Sequence, residues 1–222
     1  MMQLALFDLD HTLLPLDSDY EWGRFLVRVG AVDEEGHRAE NERFYREYQA
    51  GTLDIAEFLA FGLAPLARHT AERLESWRER FMEEVIVPAI RPAARRLVRE
   101  HLDAGRLCAI VTSTNEFITA PIAKAFGVEH LIATEVERVD GQFTGKPAGT
   151  PSYREGKVLR TTLWLESRSL SWEAIERSWC YTDSANDLPL MLRVTDPVAT
   201  NPDEKLAEYA RERGWPVLRL FE

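Results

Sequence analysis

The sequence predicts an α/β fold: a parallel sheet flanked by helices, with a helical insertion after the first strand and a small β-hairpin further on. Three observations carry this. Short apolar runs recur along the chain and end in polar or acidic residues, as strands buried on both faces of a parallel sheet do. Amphipathic stretches separate most of these runs, which is the alternation of βαβ units. Residues 16–89 break the alternation, with several helical patterns and no convincing strand.

The first strand is Leu4-Ala5-Leu6-Phe7, an unbroken apolar run closed by Asp8. In the insertion, Trp22, Phe25, Leu26 and Val29 share one helical face, and Ile55, Phe58, Leu59, Gly62, Leu63 and Leu66 another. Asp54 followed by Glu57 resembles a capping box with Asp in place of Ser or Thr. Residues 92–104 read as a helix: Pro92 suits its first turn, Leu97, Val98, His101 and Leu102 form its stripe, and Gly105 closes it. Further strands are expected at 107–111, 130–133, 179–182, 197–200 and 216–220. At 135–145, Asp140-Gly141 between β-prone stretches signals a hairpin. Pro121 and Pro189 fall inside otherwise helical stretches, which the pattern alone does not explain. The expected division is an α/β core of residues 1–15 and 90–222 with a helical segment at 16–89.

Composition narrows the function. With 222 residues, 45% hydrophobic and 29% charged, the chain is an ordinary globular protein. No apolar run approaches the roughly 20 residues of a membrane span, and the N-terminus lacks the basic region of a secretory signal. Cys108 and Cys180 both sit in apolar runs, which fits free thiols in a reducing cytosol. A cytoplasmic protein is expected. The net charge of −10, from 37 acids and 27 bases, argues against a nucleic-acid partner. It leaves an anionic small-molecule substrate open, since local charge and a metal can outweigh the global field. Only four of the bases are lysines (Lys124, Lys146, Lys157 and Lys205), so a task that needs lysine has few candidates.

Four stretches carry chemistry. In Phe7-Asp8-Leu9-Asp10-His11-Thr12, two carboxylates just past a buried strand converge if the chain turns there. Close carboxylates need a cation, and a hard divalent ion with oxygen ligands, Mg²⁺, supplies it. An Asp-rich turn capping a helix fits the same residues. Tyr181-Thr182-Asp183-Ser184-Ala185-Asn186-Asp187 again places carboxylates and an amide at a strand end, where a plain helix cap is the alternative. Two acidic strand ends in one parallel sheet open on the same rim, so coincidence explains the pair poorly. Ala109-Ile110-Val111-Thr112-Ser113-Thr114-Asn115 runs a strand into hydroxyls at a helix start. That arrangement holds a phosphate oxygen or simply caps the helix. Lys157, in Arg154-Glu155-Gly156-Lys157, is a candidate to offset the charge of a phosphoryl group among carboxylates, with Lys146 as its rival.

These four pieces in this order resemble the motifs of the haloacid dehalogenase superfamily of phosphohydrolases, in the subgroup that includes phosphoserine phosphatases. They span positions 8 to 187. The resemblance implies a Rossmann-like parallel-sheet core, with the 16–89 insertion as a helical C1 cap and the 135–145 hairpin as an accessory element. It implies that Asp8 forms an aspartyl-phosphate, and that Asp10 protonates the leaving oxygen and then deprotonates water. Mg²⁺ would be held by the Asp8 side chain, the Asp10 backbone carbonyl and Asp183. Thr112, Ser113 and Lys157 would bind phosphate oxygens, with Thr12, Asn186 and Asp187 supporting the metal and Lys157.

Several positions depart from that pattern. His11 stands where many relatives have a small or neutral residue, and is a substrate contact or an ordinary loop histidine. Thr182 replaces a common Gly before Asp183. Ser113-Thr114 stands where phosphoserine phosphatases typically carry Gly-Gly. Asp17 lies where they place a Glu that meets the substrate ammonium, and either serves an amine-bearing substrate or caps the first helix of the insertion. The expected activity is Mg²⁺-dependent hydrolysis of a small phosphorylated metabolite, with histidinol phosphate and phosphoserine as candidates. A phosphotransferase and a non-enzymatic phospho-acceptor are the alternatives on this scaffold. Tyr20, Trp22, Arg46 and Tyr48 are candidate substrate contacts from the insertion.

Overall fold

The computed structural model describes residues 2–221. Seven strands form one sheet: β1 (Met2–Phe7), β2 (Leu107–Asn115), β3 (His130–Val139), β4 (Gln142–Ala148), β5 (Ile175–Thr182), β6 (Asp196–Thr200) and β7 (Val217–Leu218). Their spatial order is β4-β3-β2-β1-β5-β6-β7, and all neighbours are parallel except β3 and β4. Every expected strand is present. β2 and β3 outrun their apolar stretches because pairing between them resumes at Asn115 and Thr134 after a register shift, and β3 then pairs with β4 as far as Val139.

The named elements between β1 and β2 are all helical: α1 (Ser18–Arg28), α2 (Glu34–Ala50), α3 (Ile55–Arg68), α4 (Ala71–Phe81), α5 (Val87–Ala89) and α6 (Pro92–Asp103). A π-helical stretch, Met82–Ile86, joins α4 to α5. After β2 come α7 (Glu116–Phe126), α8 (Glu155–Glu166), α9 (Leu188–Met191) and α10 (Glu204–Arg213). No helix among the described residues is long and apolar enough to cross a membrane.

β1 shows why the sheet needs two covering layers. Its alternating side chains divide between two hydrophobic clusters, Ala5 and Phe7 in one, Leu4 and Leu6 in the other, all fully buried. The first cluster includes Ala94 and Val98 of α6 and Ile118 and Ile122 of α7; the second includes Leu165 of α8 and Leu206 of α10. The helical insertion joins the first cluster. There Trp22 stacks on Phe25 and meets Phe81 and Phe117 edge-on.

Local sequence explains the details. Asp54 caps α3, accepting from the N–H groups of Ala56 and Glu57 at 2.9 and 3.1 Å. The Glu57 carboxylate turns instead to Arg43 at 2.8 Å, so only half of the capping box forms. Asp140 and Gly141 both have positive φ, 51° and 80°, as a two-residue hairpin turn requires. Pro121, inside α7, has no N–H for the Phe117 carbonyl; Arg78 of α4 donates to that oxygen instead, at 3.1 Å. Pro189 lies in the first turn of α9, where the missing N–H costs no helical bond.

Candidate active site

The carboxyl ends of β1, β2 and β5 meet where the strand order reverses, the position at which open α/β sheets bind ligands. Asp8 follows β1, Thr112 lies in β2, Asp183 follows β5, and Lys157 reaches in from α8. The Asp8 backbone N–H donates to the Tyr181 carbonyl at 2.8 Å, tying the two acidic strand ends together.

Lys157 is fully buried, with its Nζ 2.8 Å from Asp8 Oδ1 and 2.7 Å from Asp187 Oδ2. Burial opposes its charge, but the two carboxylates outweigh burial and hold the ammonium above the usual lysine range. Thr182 donates to the same Asp187 oxygen at 2.7 Å, which gives the departure from Gly at this position a structural role. The Thr12 hydroxyl lies 3.3 Å from Asp8 Oδ2 and 3.2 Å from Asp183 Oδ1. Burial, then the charges of Asp8 and Asp187, push the Asp183 carboxyl well above the usual carboxylate range. Three carboxylates therefore stand against one ammonium, which contacts two of them.

That residual charge and its all-oxygen donors fit a hard divalent cation. The side chains alone make no complete cage: among the described residues there is no cluster of three His, Cys, Asp or Glu suited to a metal. A cation here would need backbone, water or substrate oxygens as well.

Asp10 faces the other way. Its Oδ1 accepts from the Ser18 N–H at 2.7 Å and its Oδ2 from the Thr114 hydroxyl at 2.9 Å. Burial and the nearby Asp17 charge push its carboxyl up to about 6. A carboxyl held in one orientation and poised near neutrality suits proton transfer in both directions. Thr114, in the Ser113-Thr114 departure, thus orients the Asp10 carboxyl.

A cavity opens beside these groups, between the sheet end and the insertion. Asp8, Asp10, Thr112, Ser113 and Thr114 line one side, and Asp17, Asp19, Tyr20, Phe44, Tyr45 and Tyr48 are among those on the other. Asp17 and Asp19 are half-buried in the cavity wall. Burial is the main cause raising both carboxyls, Asp17 to about 6 and Asp19 well above the usual range. Among the described residues, no Lys or Arg lines this cavity.

Other expected contacts are placed differently. Asp187 meets Lys157, but Asn186 does not; its side chain bonds Arg154 and the Tyr48 carbonyl instead. The two residues lie in one 3₁₀ turn, so adjacent side chains diverge. Lys146 is exposed on β4 and lies outside the cavity lining, so it does not compete with Lys157. Tyr20 and Tyr48 line the cavity, whereas Trp22 is core and Arg46 is exposed outside it. His11 also lies outside it, at φ 55°, 3.3 Å from the Tyr45 hydroxyl in a neighbouring cleft that Asp183 lines. Asp17 caps α1 through Oδ1, at 3.0 and 2.9 Å from the N–H groups of Asp19 and Tyr20, and also faces the cavity.

Sequence reasoning assigned no role at the site to Asp19, to Thr114 as a partner of Asp10, or to the 201–203 loop. Asn201 donates to the His11 carbonyl at 2.9 Å, while the Asp203 N–H donates to the Asp183 carbonyl at 2.8 Å, so this loop braces both acidic strand ends. The Asp17-Ser18-Asp19 repeat at a helix start was the available signal for Asp19.

Residues 5–192 match the family model for haloacid dehalogenase-like hydrolases. The chain is 47% identical to a histidinol-phosphatase of Neisseria meningitidis, over 99% of this chain and all of that protein. It is 32% identical to a phosphoserine phosphatase of Mycobacterium tuberculosis, over 96% of this chain and 69% of that one. A solved structure of a Bordetella pertussis protein of unknown function matches at TM-score 0.95 and 50% identity, with both chains covered in full. A substrate-bound phosphoserine phosphatase shares the fold at TM-score 0.69 and 18% identity, over 98% and 93% of the two chains. The family match spans five of the seven strands and all four motifs, and the chain belongs to the haloacid dehalogenase-like hydrolases.

Proposed function

We propose that this phosphatase hydrolyses histidinol phosphate in the cytoplasm, through an aspartyl-phosphate on Asp8. The observation that carries the substrate is the acidic lining of the cavity: Asp17 and Asp19 line it opposite the reacting groups, with no Lys or Arg among the described residues. Histidinol phosphate presents an ammonium and an imidazole beyond its phosphate and has no carboxylate. Phosphoserine brings a carboxylate into the same space, where it would meet acids and no cation. The 47% identity to a histidinol-phosphatase over the full length of both chains supports the same choice.

In this reading the Asp8 carboxylate attacks phosphorus as the ester P–O bond breaks, and Asp10 delivers the proton that the leaving alkoxide takes up. Asp10 then removes a proton from the water that attacks the acyl-phosphate, returning Asp8 as a carboxylate. Lys157, Thr112 and Ser113 hold the phosphate oxygens, and Asp187 and Thr12 fix Lys157 and the two acidic strand ends. Phosphatases of this family generally use Mg²⁺; Asp8, Asp183 and the Asp10 carbonyl would hold the ion, which would supply Lewis-acid stabilisation to the phosphoryl group. Residues 16–89 act as the cap that reads the leaving group, over a core of residues 1–15 and 90–222. Asp17 and Asp19 face the substrate ammonium, and Asp17 caps α1 with one oxygen while presenting the other.

The test is kcat/KM for histidinol phosphate against phosphoserine, with Mg²⁺ present. A preference of at least a hundredfold for histidinol phosphate is expected. Equal values, or a preference for phosphoserine, would overturn the proposal.

A further inference from the structure

Helix α2 spans 17 residues, yet only Asn41 and Phe44 on it are buried. Little apolar surface therefore seats it, although it carries Tyr45 and Tyr48 into the cavity wall. What holds its far end is polar. The last turn of a helix leaves carbonyls unpaired and carries the negative end of the helix dipole. Here three side chains from beyond the insertion supply donors to that turn. Arg154 donates to the Gly51 carbonyl, Lys205 to that of Ala50 at 2.9 Å, and Asn186 to that of Tyr48 at 3.3 Å.

Gly51 marks the point of convergence. Its φ of 74° favours glycine, and a Cβ there would lie 3.4 Å from Arg154 Nη2, 3.6 Å from Asn186 Oδ1 and 3.8 Å from Lys205 Nζ. Arg154 also binds Asn186 Oδ1 twice, from Nε at 3.2 Å and Nη2 at 3.1 Å. Its own backbone sits at φ 50°, ψ −119°, a sparsely populated region for a residue with a side chain. It precedes Lys157 by three residues, and Asn186 immediately precedes Asp187, the second partner of Lys157. One guanidinium thus bonds the end of α2 and the Asp187 loop from the turn that delivers Lys157.

We infer that Arg154 is a positioning residue that clasps α2 onto the Lys157–Asp187 clamp, so that the leaving-group cavity is complete only while this contact holds. The inference rests on the reading of the insertion as the part that recognises the leaving group. Arg154 touches no reacting atom. It acts through Tyr48 and the seating of α2, and lysine in its place can reach Gly51 but cannot grip Asn186 through two nitrogens.

The experiment compares Arg154→Gln and Arg154→Lys with the unaltered protein in two ways. Steady-state kinetics are run on histidinol phosphate and on p-nitrophenyl phosphate, and backbone hydrogen exchange is followed over residues 44–53 without substrate. For Arg154→Gln, KM for histidinol phosphate should rise at least tenfold with kcat within threefold. Its loss in kcat/KM should exceed that on p-nitrophenyl phosphate at least fivefold, and exchange over 44–53 should quicken at least tenfold. Arg154→Lys should fall between. Equal losses on both substrates, or exchange at the unaltered rate, would overturn the clasp. Should the Arg154 variants not fold, Lys205→Ala removes one donor, and unchanged exchange in that variant would equally overturn it. The exchange measurement involves no substrate, so it still tests the clasp if the substrate assignment fails.

Discussion

The ammonium of Lys157 lies 2.8 Å from the Asp8 carboxylate, and neither side chain is more than 7% exposed. The two residues are 149 positions apart in sequence, and Asp8 together with Asp187 sustains the charge of Lys157. Lys157→Met keeps the stem and removes the charge, leaving Asp8 and Asp187 facing each other in a buried site. Breaking a buried pair from one side costs ~3–5 kcal/mol. The expected outcome is a lowered Tm with loss of kcat/KM of at least a hundredfold. Lys157→Arg should not restore activity, because a fully enclosed site has no room for a planar fork. Activity of Lys157→Arg above a tenth of the original would contradict this picture of the site.

Asp17→Asn separates the two roles of that residue. Asparagine caps a helix as well as aspartate does, so Tm should hold. Losing the charge should lower kcat/KM for histidinol phosphate about tenfold, which corresponds to ~1.4 kcal/mol. Asp19→Asn should act in the same direction, with glycerol phosphate, which has no cationic group, affected less than threefold. Parallel losses on both substrates would show that these acids do not read the substrate's charge.

Gly156 is required by close approach. A Cβ at this position would stand 2.0 Å from the Pro151 carbonyl oxygen, a distance only backbone movement can relieve. Gly156→Ala should therefore shift the turn that delivers Lys157, destabilising the fold by ~1–3 kcal/mol, as overpacking does, and lowering activity with it. Thermal melting checks the first effect and phosphate release the second. A variant melting at the original temperature would contradict the geometry.

His101 gives the fold an acid limb through a group that takes no part in the reaction. Arg106 can only donate, so its contact with Nδ1 at 3.2 Å makes that nitrogen the acceptor. Nε2 then carries the proton and donates to the Tyr181 hydroxyl at 2.8 Å. Burial, aided by Arg106, pulls the imidazole pKa down to about 4. The unfolded chain takes up a proton near the ordinary value of about 6.5, which the folded chain refuses. Stability from this group is intact above that value and falls as pH drops from about 6.5 towards 4. His101→Gln should flatten that limb in urea titrations at pH 7 and 4.5, and an unchanged slope would contradict it.

Much of this was legible in the sequence where chemistry sits at the end of an apolar run. Asp8 and Asp183 stand out because each closes a buried strand, and the parallel sheet puts both ends on one rim. Lys157 and Asp187 were legible as motif members, and the structure joins them directly. The roles of Thr114 and Arg154 were not, because they depend on partners 104 and 103 residues away. No local pattern records such pairings. Side-chain direction was the other limit: Trp22 falls on a helical face that packs inward, and Asn186 turns away from Lys157 although its neighbour Asp187 meets it. The extra length of β2 and β3 was hidden because hydropathy marks what a strand buries, while pairing resumes at Asn115 with Thr134 after a break in register past Val111.

The most direct test of the central claim is phosphate release from histidinol phosphate with Mg²⁺, measured for the protein and for folded Asp8→Asn. Turnover by the protein and a loss of at least a thousandfold in the variant are predicted. No release by the protein, or release that survives Asp8→Asn, would contradict the proposed function.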